Sequence, residues 1–210
     1  MGSSESALKR YIDSWGKIGR DRLRHLLKNE SSGTRHNLLV NEKGITGVFS
    51  TWTGVHIGAL INDLETVKCM LDGFSINQKY DVVKMQQRNK WTALHIAAAN
   101  GHASIIKYLL SNLPLQQKYD LLKIQNEDGN TALHRAVLNE EVEAVQTIIS
   151  SVSSHLLIQL LNIQNKQGQK VTDIKPELYD ELPVLTREGR VSSLTAELKK
   201  KIKFYQVILV

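Results

Sequence analysis

Cysteine, proline and long apolar runs are all scarce in this 210-residue sequence, which has one cysteine and three prolines. The single cysteine, Cys69, has no partner for an internal disulfide, and the amino terminus lacks the pattern of a secretory signal, so we expect a cytoplasmic, reducing environment. Thirteen glycines and three prolines are too few for a sandwich of many tight turns. Since no eighteen apolar residues follow one another, we predict no membrane span in this chain. The composition favours a mostly helical globular protein.

The formal net charge of +6 raises the question of nucleic-acid binding. Residues 51–174 contain eleven basic and eleven acidic residues, so the whole excess lies in residues 1–50 and 175–210. A domain that neutralises phosphates concentrates its cations on one face of the folded body. Nucleic acid is therefore disfavoured as a partner.

A motif recurs at intervals of 39 residues and includes His56, His95 and His134. Its three copies read WTGVHIGA at 52–59, WTALHIAA at 91–98 and NTALHRAV at 130–137. The linking segments keep the same register, because QKYDVVKMQ ends at residue 86 and QKYDLLKIQ ends at residue 125. A fixed period of this length is typical of repeat proteins that stack one unit on the next.

The segment TALHIAAANGHASIIKYLL at 92–110 closely resembles the ankyrin repeat. The resemblance implies an all-α solenoid of stacked helical hairpins, with projecting finger turns and helical caps. It divides the chain into repeats at about 50–88, 89–127 and 128–166 and a degenerate copy from 167. Residues 1–49 are then an amino-terminal helical cap or first repeat with a long finger loop, and residues 176–210 are a carboxy-terminal helical cap or tail.

Within a repeat, the threonine that precedes the first helix is expected to cap it through its hydroxyl. The second helix carries apolar residues at helical spacing, as at Ile105, Ile106, Leu109 and Leu110. Ankyrin repeats take about 33 residues, so the additional residues of each repeat must lie between the second helix and the next turn. Pro114 predicts a short extra helix there, with Asn112 as its cap.

No catalytic motif is present, so we predict that the protein is not an enzyme and uses no cofactor. The periodic histidines are not predicted to form a metal site, because repeats stack about 8 to 10 Å apart whereas zinc needs each nitrogen within about 2.1 Å. The resemblance instead implies that each histidine is hydrogen-bonded at the start of its helix, and that the protein is a monomeric scaffold that binds another protein. Two alternatives are the cytosolic ankyrin domain of a larger membrane receptor or channel and the host-protein-binding domain of a bacterial effector.

The candidate partner-binding site consists of the finger tips and the concave surface. Trp52 and Trp91 each precede the threonine of a finger turn, where a large aromatic residue has no obvious folding role. Aromatic and arginine residues dominate protein-binding hot spots. If the tryptophans anchor a partner they should be exposed, whereas if they shield the adjacent finger they should be packed. The remaining candidates are Phe49, Arg88, Asn89, Leu60, Ile61, Ala99, Asn100, Glu127, Asn130 and Leu138.

Overall fold

The computed structural model describes residues 53–174, so the predicted caps and the candidates Phe49 and Trp52 lie outside the described residues. Between residues 53 and 174 the chain forms ten α-helices and no named strand. The helices are α1 Gly54–Leu60, α2 Leu64–Leu71, α3 Ile76–Val83, α4 Ala93–Ala99, α5 Ala103–Leu110, α6 Leu115–Leu122, α7 Ala132–Leu138, α8 Val142–Ser150, α9 Ser154–Leu161 and α10 Val171–Ile174.

Each repeat contributes an inner helix (α1, α4, α7), an outer helix (α2, α5, α8) and a third helix (α3, α6, α9). Inner helix α4 packs between α1 and α7, and the short α10 packs on α7. The outer helices follow the same order, because α5 packs against both α2 and α8. The predicted all-α ankyrin solenoid is therefore confirmed.

The core lies between the inner and outer helices of adjacent repeats. Ala97, Ala98 and Ala136 are completely buried, and their small side chains allow close helix approach. The apolar face predicted for the second helix of the central repeat is also confirmed, since Ile105, Ile106, Leu109 and Leu110 are all buried. Each inner helix thus buries most of its apolar side chains in the stack, as stacking requires.

The predicted extra helix is α6, and its cap differs from the prediction. Pro114 occupies the N-cap position, whereas Asn112 adopts a φ of 60° in the turn that ends α5. Asparagine tolerates this left-handed conformation because its short side chain crowds the backbone little. The equivalent helix α3 has a side-chain cap, in which Ser75 accepts from the backbone N–H of Gln78.

Helix α3 is tied to the next repeat by a buried lysine. The Lys79 ammonium donates to the carbonyls of Tyr108 (2.6 Å) and Ser111 (2.9 Å), which lie at the carboxyl end of α5. A cation at this end of a helix interacts favourably with the helix dipole. Burial nevertheless lowers the pKa of Lys79 to about 8, because water solvates an ammonium better than a protein interior does.

The periodic histidines connect each inner helix to the next finger turn. In the central repeat, Nδ1 of His95 lies 2.8 Å from Oγ1 of Thr92 and accepts from its backbone N–H at 3.2 Å. The opposite ring nitrogen, Nε2, donates to the carbonyl of Asn130 at 3.0 Å. A carbonyl can only accept, so Nε2 carries the proton and the imidazole is neutral.

The histidines of the neighbouring repeats make similar bonds. Nε2 of His134 lies 3.3 Å from the carbonyl of Gln169, in register with the bond of His95, whereas Nε2 of His56 lies 3.1 Å from the carbonyl of Met85. Thr92 and Thr131 also accept from the backbone N–H three residues later, which confirms the predicted caps of α4 and α7. The expectation that these histidines are bonded at the start of their helices is therefore confirmed.

Acidification should destabilise the fold through these histidines. Burial lowers the pKa of His56 and His95 from 6.5 to about 4, and lowers that of His134 as well. Between pH 6.5 and about 4 the unfolded chain therefore binds more protons than the folded chain. The stabilisation by the neutral histidines is complete above pH 6.5 and is lost as the pH falls towards 4. We expect a loss of about 1.4 kcal/mol per pH unit for each fully buried histidine, measured by urea unfolding.

The matched variant His95→Gln should reduce this pH slope by about one proton equivalent, because glutamine does not titrate. An unchanged slope in the variant would show that other groups cause the acid sensitivity.

Glycine should stabilise the turn between α7 and α8. The corresponding turns contain Asn62, Gly101 and Glu140, all with φ between 57° and 69°. A left-handed backbone costs a side-chain-bearing residue about 1–2 kcal/mol, part of which glycine's greater unfolded-state entropy offsets. We expect Glu140→Gly to raise the free energy of unfolding by about 0.5–1 kcal/mol, measured by urea denaturation. Gly101→Ala, the reverse change in the central repeat, should lower it.

Candidate functional site

The candidate site begins with the finger turns, which precede the inner helices. In the finger before α4, the backbone N–H of Gln87 donates to the carbonyl of Trp91 at 2.9 Å. The finger before α7 closes with the bond from Asn126 to Asn130, and the next closes with the bond from Asn165 to Gln169, both at 2.9 Å. The degenerate copy from residue 167 therefore keeps the same turn.

The fingers are bonded to one another as well as internally. The side-chain amide of Gln86 donates to the carbonyl of Gln125 at 3.3 Å, and that of Gln125 donates to the carbonyl of Gln164 at 2.8 Å. We call these two side-chain bonds the glutamine ladder. A backbone hydrogen bond adds to it, because the N–H of Glu127 donates to the carbonyl of Asn89 at 3.0 Å. The finger turns consequently form one continuous ledge rather than independent loops.

The predicted finger candidates within the described range lie on this ledge. Arg88 and Asn89 are exposed on one finger, and Glu127 is exposed on the next. Arg88 and Glu127 therefore place opposite charges on neighbouring fingers.

The predicted concave-surface candidates cluster where the inner helices end. Leu60 and Ile61 at the end of α1 and Leu138 at the end of α7 are half-buried, and Asn100 between them is exposed. The side-chain amide of Asn139 donates to the carbonyl of Ala99 at 2.6 Å, which holds the ends of α4 and α7 side by side. We define the groove as Leu60, Ile61, Asn100 and Leu138 together with Trp91.

Two candidates do not present a side chain to the surface. Ala99 is only 8% exposed, at the end of α4 where its carbonyl accepts from Asn139, and Asn130 is only 6% exposed. The side chain of Asn130 accepts from Nδ2 of Asn165 at 3.1 Å, so it connects two fingers. Their inclusion among surface residues was wrong for a physical reason, since both side chains are used within the stack.

Trp91 is half-buried and packs against the core rather than standing free on its finger. The guanidinium carbon of Arg135 lies 4.6 Å from the centroid of its indole ring, and the imidazole of His95 lies 6.2 Å from it. A guanidinium at this distance over a tryptophan face forms a cation–π interaction. Of the two alternatives for Trp91, the packing supports the second, in which much of the ring shields the neighbouring repeat.

Arg135 is the residue that the sequence analysis missed. It occupies the position of Ile57 and Ile96 in the preceding repeats, one residue after the periodic histidine. Burial lowers the pKa of its guanidinium, and the carboxylate of Asp128 acts in the opposite direction. A charged residue at a position that is otherwise isoleucine is the signal that would have identified it.

The described residues contain neither a metal-binding cluster nor a membrane-spanning helix. Among residues 53–174 no group of three histidine, cysteine or acidic side chains is arranged to hold a metal ion. The same range contains no helix with the length and apolar character needed to cross a membrane. The side chains at the groove combine apolar contact area with an amide and an indole, and the guanidinium of Arg135 lies against that indole.

Comparison with known proteins identifies the repeat. The family model for ankyrin repeats, in three copies, matches residues 55–159. This chain belongs to the ankyrin-repeat family. Ankyrin repeats are in general non-enzymatic modules for protein–protein interaction. No curated protein matches the chain.

Among solved structures, a chain in the crystal structure of the yeast ribosomal protein Rps3 in complex with its chaperone Yar1 is similar. The likeness covers 60% of this chain and 83% of that one, with 24% identity and a TM-score of 0.49.

The Trp91–Arg135 contact should contribute measurably to stability. We expect Trp91→Ala to lower the free energy of unfolding by about 2 kcal/mol, because half of a large side chain leaves the core. Combined with Arg135→Met, a double-mutant cycle in urea should give a coupling of about 1 kcal/mol. Pairing Trp91→Ala with Lys107→Met on α5 serves as the control and should be additive. Additivity in both cycles would mean that the ring and the guanidinium do not interact in solution.

Proposed function

We propose that this ankyrin domain binds a protein partner in the groove and on the exposed finger tips. The observation that supports the proposal most directly is the set of half-buried apolar side chains at the ends of α1 and α7, on either side of α4, namely Leu60, Ile61 and Leu138. Apolar side chains that keep part of their surface in water gain free energy when a partner covers them. Aromatic and arginine side chains beside them are the residue types that carry binding energy.

The ledge of fingers supports the same proposal through rigidity. Because the glutamine ladder and the histidine bonds fix each finger to its neighbour, little conformational entropy remains to be lost on binding. A surface that is ordered in advance retains more of its contact energy as affinity. Opposite charges on Arg88 and Glu127 give the ledge a pattern that can discriminate between partners.

The proposal also concerns where the domain acts and whether it is part of a larger protein. We propose a cytoplasmic scaffold that acts as a monomer, with the receptor or channel domain and the bacterial effector as the alternatives. In all three cases the groove binds the partner. They differ in whether the domain acts alone, is joined to a membrane protein or is delivered into a host cell. The coding sequence on either side of this chain distinguishes them, because a membrane receptor or channel would have an apolar span outside these residues.

The groove should be tested with a pair of matched charge insertions. Asn100→Arg places a bulky cation between Leu60 and Leu138, whereas Ser104→Arg places the same side chain at an exposed position of the outer helix α5. A partner is first captured from cell extract with the full chain, identified by mass spectrometry and purified. Its affinity for Asn100→Arg should fall at least tenfold, or about 1.4 kcal/mol.

The affinity of Ser104→Arg should stay within about twofold of the unmodified chain, and thermal midpoints would verify that both variants fold. Normal binding by Asn100→Arg together with loss in Ser104→Arg would move the interface to the outer face and reject the groove.

A further inference from the structure

Arg135 has an unusual environment for a charged side chain. In the aligned position one repeat earlier, Ile96 is only 3% exposed and packs in the core. Arg135 is half-buried on α7, and its guanidinium carbon lies over the indole of Trp91, 4.6 Å from the ring centroid. The aromatic ring therefore covers one side of the guanidinium.

The guanidinium has no hydrogen-bond acceptor within the described range. Its Nε is buried without a partner. The ion pairs found among residues 53–174 are Lys68–Glu65, Lys84–Asp81 and Lys123–Asp120, and none includes Arg135. An arginine has five N–H donors in a rigid planar fork, and the one on Nε is buried. No hydrogen bond joins the two terminal nitrogens to an acceptor in residues 53–174, so their four N–H donors can bind an acceptor from outside the chain.

We propose that Arg135, held against Trp91, binds a carboxylate side chain of the partner protein. The inference rests on the proposed function and names the chemistry of one contact within it. The two terminal nitrogens of a guanidinium match the two oxygens of a carboxylate, and the pair forms two parallel hydrogen bonds. Because the indole covers one side of the guanidinium and Nε is buried, the carboxylate approaches the terminal nitrogens.

The surrounding charges favour a carboxylate over a phosphate. Asp128 lies close enough to act electrostatically on Arg135, and Glu127 precedes it on the same finger. A single cation beside this acidic finger is a poor match for a phosphate, which carries about two charges at neutral pH. Leu138, three residues after Arg135 on α7, provides apolar contact for the methylene groups of an aspartate or glutamate.

The assignment can be tested without knowing the partner. The full chain, labelled with ¹⁵N, would be titrated with N-acetyl-glutamate amide and, in parallel, with N-acetyl-glutamine amide at constant ionic strength. The resonances to follow are Nε–H of Arg135 and the indole N–H of Trp91, assigned with Arg135→Lys and Trp91→Phe. We expect saturable shifts of both resonances with the glutamate probe, and at least fivefold weaker binding of the glutamine probe.

Substitutions test whether the probe binds at Arg135 itself. Arg135→Met should abolish the shift of the Trp91 indole, and Arg135→Lys should weaken binding several-fold because an ammonium lacks the fork. Lys107→Met removes an exposed cation from α5, outside the groove and the ledge, and should leave the titration unchanged. If circular dichroism shows that Arg135→Met is unfolded, the titration of Arg135→Lys tests the assignment in its place.

Three outcomes would overturn the assignment: equal binding of the two probes, a titration that is unchanged in the Arg135 variants, or no saturable shift. None of these bears on whether the groove binds a protein, which the paired Asn100→Arg and Ser104→Arg experiment decides separately. Failure of the carboxylate contact is thus distinguishable from failure of the proposed function.

Discussion

The stacking of this solenoid depends on a neutral imidazole that joins each inner helix to the finger of the next repeat. His95 receives hydrogen bonds at Nδ1 from the threonine that caps its own helix, and donates from Nε2 to the carbonyl of Asn130. The ring therefore satisfies a helix amino terminus and a loop carbonyl in one buried place, where an unpaired polar group would cost about 1–3 kcal/mol. Since the ring is completely buried, neither bond can be replaced by water.

This constraint leaves the surface side chains free to differ between repeats. The bonds that hold the fingers use backbone carbonyls together with histidines and glutamines that recur at intervals of 39 residues. The residue whose carbonyl closes each finger differs between repeats, being tryptophan at 91, asparagine at 130 and glutamine at 169. A scaffold whose geometry depends on the backbone can therefore vary its recognition residues without altering the stack.

The repeat period predicted most of the fold because it reports contacts that recur. The inner helices, the threonine caps, the structural histidines and the extra helix after Pro114 all follow from residues in register. Cap details did not, since Pro114 rather than Asn112 occupies the N-cap position. The repeat period also could not predict contacts that occur in only one repeat. Trp91 and Arg135 are 44 residues apart, and their stacking requires a finger and the next inner helix to be placed in space. Asn130 was misassigned for the same reason, because its acceptor role depends on Asn165 in the following finger.

Arg135 shows how the solenoid accommodates a residue that weakens its own repeat. Its place in the helix is filled by isoleucine in the two preceding repeats, and exchanging an apolar side chain for a half-buried guanidinium sacrifices hydrophobic burial. The cation–π contact with Trp91 returns only part of this free energy, about 1–2 kcal/mol. The neighbouring histidine bonds remain in place, because His134 still joins its threonine and the next finger. The histidine framework thus keeps the repeat in register while a costly charge stands beside the groove, where it can contribute to recognition.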